Sequence, residues 1–225
     1  MSADDAFEQS RVLYERAIFE DDQGALARAT QLLDGLEADL ALARGRIMHG
    51  EFLLERTRDR DQARENPGEL PSFERAARLY QALGDQRGEA EALFWIGCCQ
   101  QVVRRDNDAA VPVLDRALSL ATQAGDQAVM AEALRHLGIA EHAAGRLDQA
   151  RARLEESTAI RRQLERPAAV AANLVGLAHI ALGQQRRDDA VRYLDEAAAL
   201  ATEGHAPLIQ RQVDEARAEV TGAGC

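Results

Sequence analysis

AVPVLDRA at residues 110–117, ARARLEES at 150–157 and AVRYLDEA at 190–197 are three versions of one segment, each 40 residues from the next. In each, an Ala, a Leu and a small residue stand at spacings of four and three: Ala110/Leu114/Ala117, Ala150/Leu154/Ser157 and Ala190/Leu194/Ala197. Those spacings place all three side chains on one face of a helix. A constant offset over three consecutive segments means that one supersecondary unit is copied along the chain. The expected fold is all-α, a solenoid of helical hairpins whose work is binding.

Glycine, proline and aspartate punctuate the copies. Gly84-Asp85 and Gly125-Asp126 read as a helix-ending glycine followed by an N-capping Asp, and Gly204 reads as another such ending. Pro71, Pro167 and Pro207 suit a first helical turn. The expected units span 4–38, 39–84, 85–124, 126–164 and 167–203, with a capping helix at 207–220, all in a single solenoid over 1–225. In the second unit a long connector, Arg56 to Leu70, is rich in both charge signs and is either an extension of the preceding helix to about Pro67-Gly68 or a mobile loop; its strong helix formers favour the extension. No run alternates apolar and polar residues long enough to predict a strand.

A second pattern accompanies the first. Leu93-Phe94-Trp95-Ile96-Gly97 is matched by Leu134-Arg135-His136-Leu137-Gly138. A glycine inside a helix costs about 1 kcal/mol relative to alanine, so equivalent glycines call for close approach by a partner helix. In the fourth unit Gly138, Gly145 and Ala150 are followed by Leu154 and Ser157; the fifth keeps Gly176, His179 and Gly183 in the same frame. These residues resemble the tetratricopeptide repeat, in the longer variety of about 40 residues per unit found in kinesin light chains and large bacterial activators. The resemblance implies a right-handed superhelix and a non-catalytic scaffold that binds a peptide or protein segment in its concave groove. It covers residues 85–203 most clearly.

It also implies groove positions on the first helix of each unit. These are Leu42, Arg46 and His49; Phe94, Cys98 and Gln101; Arg135, Ile139 and His142; and Asn173, Leu177 and Ile180. The bland alternative for each is ordinary packing. The lysine-dependent clamp that some relatives use for a terminal carboxylate is not expected, because the chain contains no Lys.

Composition narrows the function classes. A formal charge of −11 and a sequence pI near 5.0 argue against a nucleic-acid partner, and the use of Arg for all 27 basic residues reads as codon bias of a GC-rich genome. No apolar run reaches the roughly 20 residues needed to cross a bilayer, and the acidic start Met1-Ser2-Ala3-Asp4-Asp5 lacks the pattern of a signal peptide. The expectation is a cytoplasmic protein without membrane partner, metal or cofactor, either monomer or homodimer. No His-x-x-x-His or Cys-x-x-Cys pair offers local zinc ligands. Cys98 and Cys99 are expected to be small buried residues, and Cys225 a free thiol on a Gly-rich tail. Two other functions stay open: a regulatory unit acting in trans, and an enzyme using Glu132, Glu141, His136 or His142 as acid or base.

Overall fold

The computed structural model describes residues 3–59 and 62–222, and Cys225 lies outside them. The described residues form ten helices and no strand: α1 (Ala3–Phe19), α2 (Ala25–Arg58), α3 (Glu69–Leu83), α4 (Gln86–Cys98), α5 (Asn107–Ala124), α6 (Gln127–Ala143), α7 (Leu147–Gln163), α8 (Pro167–Gly183), α9 (Arg187–Glu203) and α10 (Pro207–Gly222). A single π-helical turn, Cys99–Val103, continues α4. The fold is all-α, built from helical hairpins. The chain divides into two compact units at Ala124/Gly125. In the first, α1 and then α3 pack on the long α2, and α4 packs on α3 and α5. In the second, α6 pairs with α7 and α8 with α9, while α10 closes over α8 and α9.

The repeated Ala and Leu residues are the hairpin cores. Leu114, Leu154 and Leu194 are at most 1% exposed, as are Ala110, Ala117, Ala150, Ala190 and Ala197. Burying each such Leu is worth about 1.5–3 kcal/mol. The glycines of the preceding helices accept these leucines. A Cβ on Gly97 would stand 2.6 Å from Leu114 Cγ, and one on Gly138 would stand 2.1 Å from Leu154 Cδ1. Gly176 would meet the other methyl of the same leucine, Leu154 Cδ2, at 2.7 Å.

Helix starts follow the sequence signals. Asp85 accepts from Gly88 N–H, and Asp126 accepts from Ala128 and Val129 N–H. Asp106 does the same for α5 through Ala109 N–H. Gly204 departs from its expected role. Its φ is −79°, and His205, at φ 50°, makes the left-handed turn instead. Gly204 is required for a different reason: the backbone nitrogen of Ala168 lies 2.8 Å from where its Cβ would be.

Two boundaries in the first unit also differ. The expected break at 38/39 is absent, since α2 runs unbroken through it. Asp39, the residue there best able to cap a new helix, instead accepts a hydrogen bond from the Tyr80 hydroxyl at 2.7 Å. The connector is not a helical extension: α2 ends at Arg58, and residues 62–68 are turn or irregular. Asn66 organises its far end by accepting from Gly68 N–H, and Glu65 is held by Arg104 at 2.6 Å. The expected continuation through Arg60 and Asp61 lies outside the described residues. Ending the helix early lets α3 begin at Glu69, whose carboxyl is fully buried.

Gly138→Ala is expected to lower stability by about 1–3 kcal/mol through overpacking against Leu154, although alanine is the better helix former. Gly35→Ala, whose new methyl would meet Leu83 Cδ1 at an ordinary 3.9 Å, is expected to raise it by up to about 1 kcal/mol. Urea unfolding followed by circular dichroism checks both signs.

Candidate functional site

Each compact unit holds a polar constellation, and the predicted groove residues fall into these two sets. In the first unit the centre is Trp95 on α4. Its ring stacks on Phe73 at 5.7 Å between centroids, and Phe94 and His49 meet it edge-on at 5.1 and 5.4 Å. The Arg46 guanidinium sits over the same ring at 5.8 Å and reaches Glu91 at 3.4 Å. Behind the ring, His49 Nδ1 lies 2.8 Å from Glu69 Oε1 and His49 Nε2 lies 3.6 Å from Cys98 Sγ.

The order Cys98, His49, Glu69 is that of a nucleophile, a base and its orienting acid. Burial decides against using it so. Cys98 is 4% exposed, His49 3% and Glu69 0%. The neighbouring Cys99 thiol is pushed up to about 12 by burial and by the Glu69 carboxylate, so it stays protonated. Oε2 of Glu69 has no hydrogen-bond partner of good geometry. The cluster is therefore a buried polar lock between α2, α3 and α4. Among the predicted groove residues here, Leu42, Phe94, Cys98 and Gln101 are buried, and Gln101 donates to Asn107 Oδ1 at 2.9 Å. Arg46, with its side chain 54% exposed, faces solvent. The groove frame fails for His49 because α3, starting early, brings a carboxyl to it.

Sequence reading did not find a second hollow in this unit. About 580 Å³ of space lies between α1 and α2, walled by Val12, Leu13 and Leu32 and edged by Arg16 and Arg28.

In the second unit the constellation spans α6, α7 and α8. Asn173 is fully buried. Its Oδ1 accepts from Arg135 at 2.8 Å and from Arg161 at 2.9 Å, and its Nδ2 donates to Ser157 Oγ at 2.9 Å. Ser157 in turn donates to the Ala131 carbonyl at 2.7 Å. Arg161, 4% exposed, also reaches the Ala169 carbonyl at 2.9 Å and Glu132 Oε2 at 2.7 Å, while its buried Nε has no partner. Desolvation lowers the Arg161 pKa from its usual range, and Glu132 works against that shift.

This network fixes Arg135, which donates a further bond to the Ala172 carbonyl at 3.0 Å. Arg135 then forms one wall of a hollow of about 240 Å³ whose other walls are Ala172, Gly176 and His179 of α8 and Gln212, Glu215 and Glu219 of α10. His179 Nδ1 stands 3.4 Å from Glu219 Oε2. Ile139 and His142 are exposed on α6, and His142 is held below the ordinary imidazole range by partial burial and by the charge of His179. Leu177 and Ile180 are core residues, each 2% exposed. They lie in one cluster with Val213, Ala216 and Val220 of α10, so the capping helix covers the face expected to be groove. His179, one position from Ile180, lines the hollow together with Ala172 and Gly176.

Arg161 was missed, yet the sequence carries a signal for it. At the equivalent place, four residues after the repeated small residue, the other copies have buried Ala121 and Ala201. The copy that replaces Ala with Ser157 also replaces this Ala with Arg161. The double departure marks a polar site inside an otherwise apolar hairpin.

Residues 102–163 match the model of the Tetratricopeptide repeat family. Residues 102–163 are a tetratricopeptide repeat segment. The match takes in α5 to α7. No curated protein matches the chain in sequence. Among solved structures, that of BtubC (BKLC) from P. vanneervenii is similar over 90% of each chain, at 15% identity and a TM-score of 0.49. Repeats of this family serve in protein–protein interaction and are typically non-catalytic. Among the described residues, no helix is long and apolar enough to cross a membrane, and no group of three or more His, Cys, Asp or Glu is placed to hold a metal.

Two measurements test these constellations. His49→Ala leaves Glu69 buried without its partner and is expected to cost about 3–5 kcal/mol, most of it recovered when Glu69→Leu is added. Urea denaturation of the two variants reads this. Proton NMR of the imidazoles is expected to show His142 titrating below 6.5, and His179→Gln is expected to raise its midpoint. Because the fold disfavours charged His142, its contribution to stability is complete above about 6.5 and falls away on acidification towards the lower folded value.

Proposed function

We propose that this protein is a non-catalytic interaction scaffold that takes a peptide or protein segment at the α6/α8/α10 hollow. The observation that carries the proposal is the held Arg135. Its guanidinium is tied to Asn173 and the Ala172 carbonyl, so little side-chain entropy is lost when a partner docks against it. Opposite stand Glu215 and Glu219, giving the hollow a cationic wall and an anionic wall. A segment carrying both an acidic and a basic side chain meets complementary charge at this site, and such matching selects partners more than it adds raw affinity.

The residues supporting this reading are fewer than the twelve the repeat frame suggested. Arg135, His179, Glu215 and Glu219 line the hollow, with Ile139 and His142 beside it on α6. The buried Asn173 acts by holding Arg135. In the first unit Arg46, stacked on Trp95 beside Glu91, is the predicted residue best placed for a partner.

The test uses peptides selected from a random display library against the full chain. Ala172→Trp, which fills the hollow, and Glu215→Arg are each expected to weaken a selected peptide at least about tenfold, roughly 1.4 kcal/mol, with helicity and melting unchanged. Arg16→Ala, in the separate α1/α2 hollow, is expected to leave affinity as it was. Peptides indifferent to Ala172→Trp and Glu215→Arg would remove the assignment.

A further inference from the structure

The long helix α2 carries a feature that its packing does not use. Leu26, Leu33, Leu40, Ile47 and Leu54 recur every seventh residue and are 51, 40, 50, 63 and 57% exposed. At 1.5 Å per residue this stripe extends about 42 Å. It lies away from the face that α2 gives to α3, where Ala38, Leu42 and Gly45 meet Phe73. A strict seven-residue apolar repeat on a helix is the signature of a seam that a second helix follows.

The first helix adds to the same side. Towards α2, α1 turns Ala6, Ser10, Leu13 and Ala17, all buried or half-buried, and α2 turns Ala25, Ala29, Leu32 and Leu36. Phe7, Tyr14 and Ile18 sit one position beyond that contact row on α1, as Leu26 and Leu33 do on α2. In an antiparallel hairpin, stripes turned the same way from the shared contact emerge on the same face. Phe7, Tyr14 and Ile18 are 57, 56 and 55% exposed. Large exposed apolar patches of this kind mark interaction surfaces.

The stripe matches a reversed copy of itself. It is symmetric about Leu40, with Leu33 and Ile47 seven residues on either side and Leu26 and Leu54 fourteen. The flanking charges stand close to mirror positions and are opposite in sign: Glu37 precedes Leu40 by three residues and Arg44 follows it by four. We propose that two copies of this chain pair through α2 as an antiparallel, two-fold contact, with Leu40 on Leu40, Leu33 on Ile47 and Leu26 on Leu54. In that register each Glu37 faces Arg44 of the other copy, and the match occurs twice. Glu37 already holds Arg75 through one oxygen, at 2.8 Å, and its second oxygen serves the new contact. Ala43, exposed three residues beyond the centre, is small enough to let the backbones approach.

A parallel arrangement uses different charges. It sets Arg44 against Asp39 and Glu51 against Arg46 of the other copy. Asp39 is already bonded to the Tyr80 hydroxyl, and Arg46 lies on the Trp95 ring. The antiparallel register leaves the Tyr80–Asp39 bond and the Arg46–Trp95 contact in place and draws only on Arg44 and the second oxygen of Glu37.

Sedimentation velocity on the full chain is expected to show a concentration-dependent dimer. Leu40→Glu is expected to give a monomer of unchanged helicity. Glu37→Arg, which sets Arg against Arg twice, is expected to weaken association at least about tenfold, and adding Arg44→Glu is expected to restore it. In a Cys225→Ser background, Leu40→Cys should cross-link across the two-fold axis and Leu54→Cys should not. A monomer at every accessible concentration would overturn the proposal, whether the stripe then meets another protein or nothing. So would a dimer indifferent to Leu40→Glu, failure of the double charge exchange to restore pairing, or self-linking through Leu54→Cys.

Discussion

One leucine on the second helix of a hairpin, seated against a glycine on the first, sets the spacing on which the repeats depend. Leu114 lies on Gly97, and Leu154 lies on Gly138 with its other methyl against Gly176. A methyl group at any of these glycines would enter the space that the leucine fills. The close approach also explains the alanines around each leucine, which are buried to 1% exposure or less because nothing larger fits at that separation. With aromatics at only 4% of the chain, this small-residue contact supplies most of the hairpin packing.

Two networks of buried polar groups enter that packing among the described residues. His49, Glu69 and Cys98 meet in the first unit, while Arg135, Asn173, Arg161, Ser157 and Glu132 meet in the second. Buried charge is costly unless it is paired and hydrogen-bonded, and this is why both sets bridge several helices. They specify which helix faces which more narrowly than Ala and Leu can. In the second unit the network has a further effect, since it holds Arg135 at the edge of the hollow. A buried core residue, Asn173, and a residue at the edge of the hollow, Arg135, are here joined by one hydrogen bond.

Helical character, the hairpin starts at Asp85 and Asp126 and the burial of the repeated Ala and Leu were legible because each follows from local spacing or capping. The resemblance to tetratricopeptide repeats, drawn from those same glycines and alanines, agrees with the family match over residues 102–163. The candidate site was legible only in part. Arg135 lines the hollow, and Ile139 and His142 are exposed on the same helix. Leu177 is buried, because α10 lies over it, and a frame counted along one helix contains no information about what a later helix covers. Phe94 and Cys98 are likewise interior, held around Trp95 by a neighbour that the frame leaves out. The fusion of two expected helices into α2 escaped for a related reason: Asp39 could cap a helix, and only the tertiary partner Tyr80 draws its carboxylate elsewhere.

By itself the sequence determined the repeated hairpin and its period, since both are matters of which residues share a helical face. It also contained the paired change to Ser157 and Arg161 that marks the polar core. Tertiary structure decided which of those faces remain open. The hollow at Arg135, the closure over Leu177 and the exposure of Leu40 depend on where α10, α8 and α3 lie in space, and those positions come from packing between residues far apart in the chain. Periodicity names a face; only the neighbours decide whether it becomes core or surface.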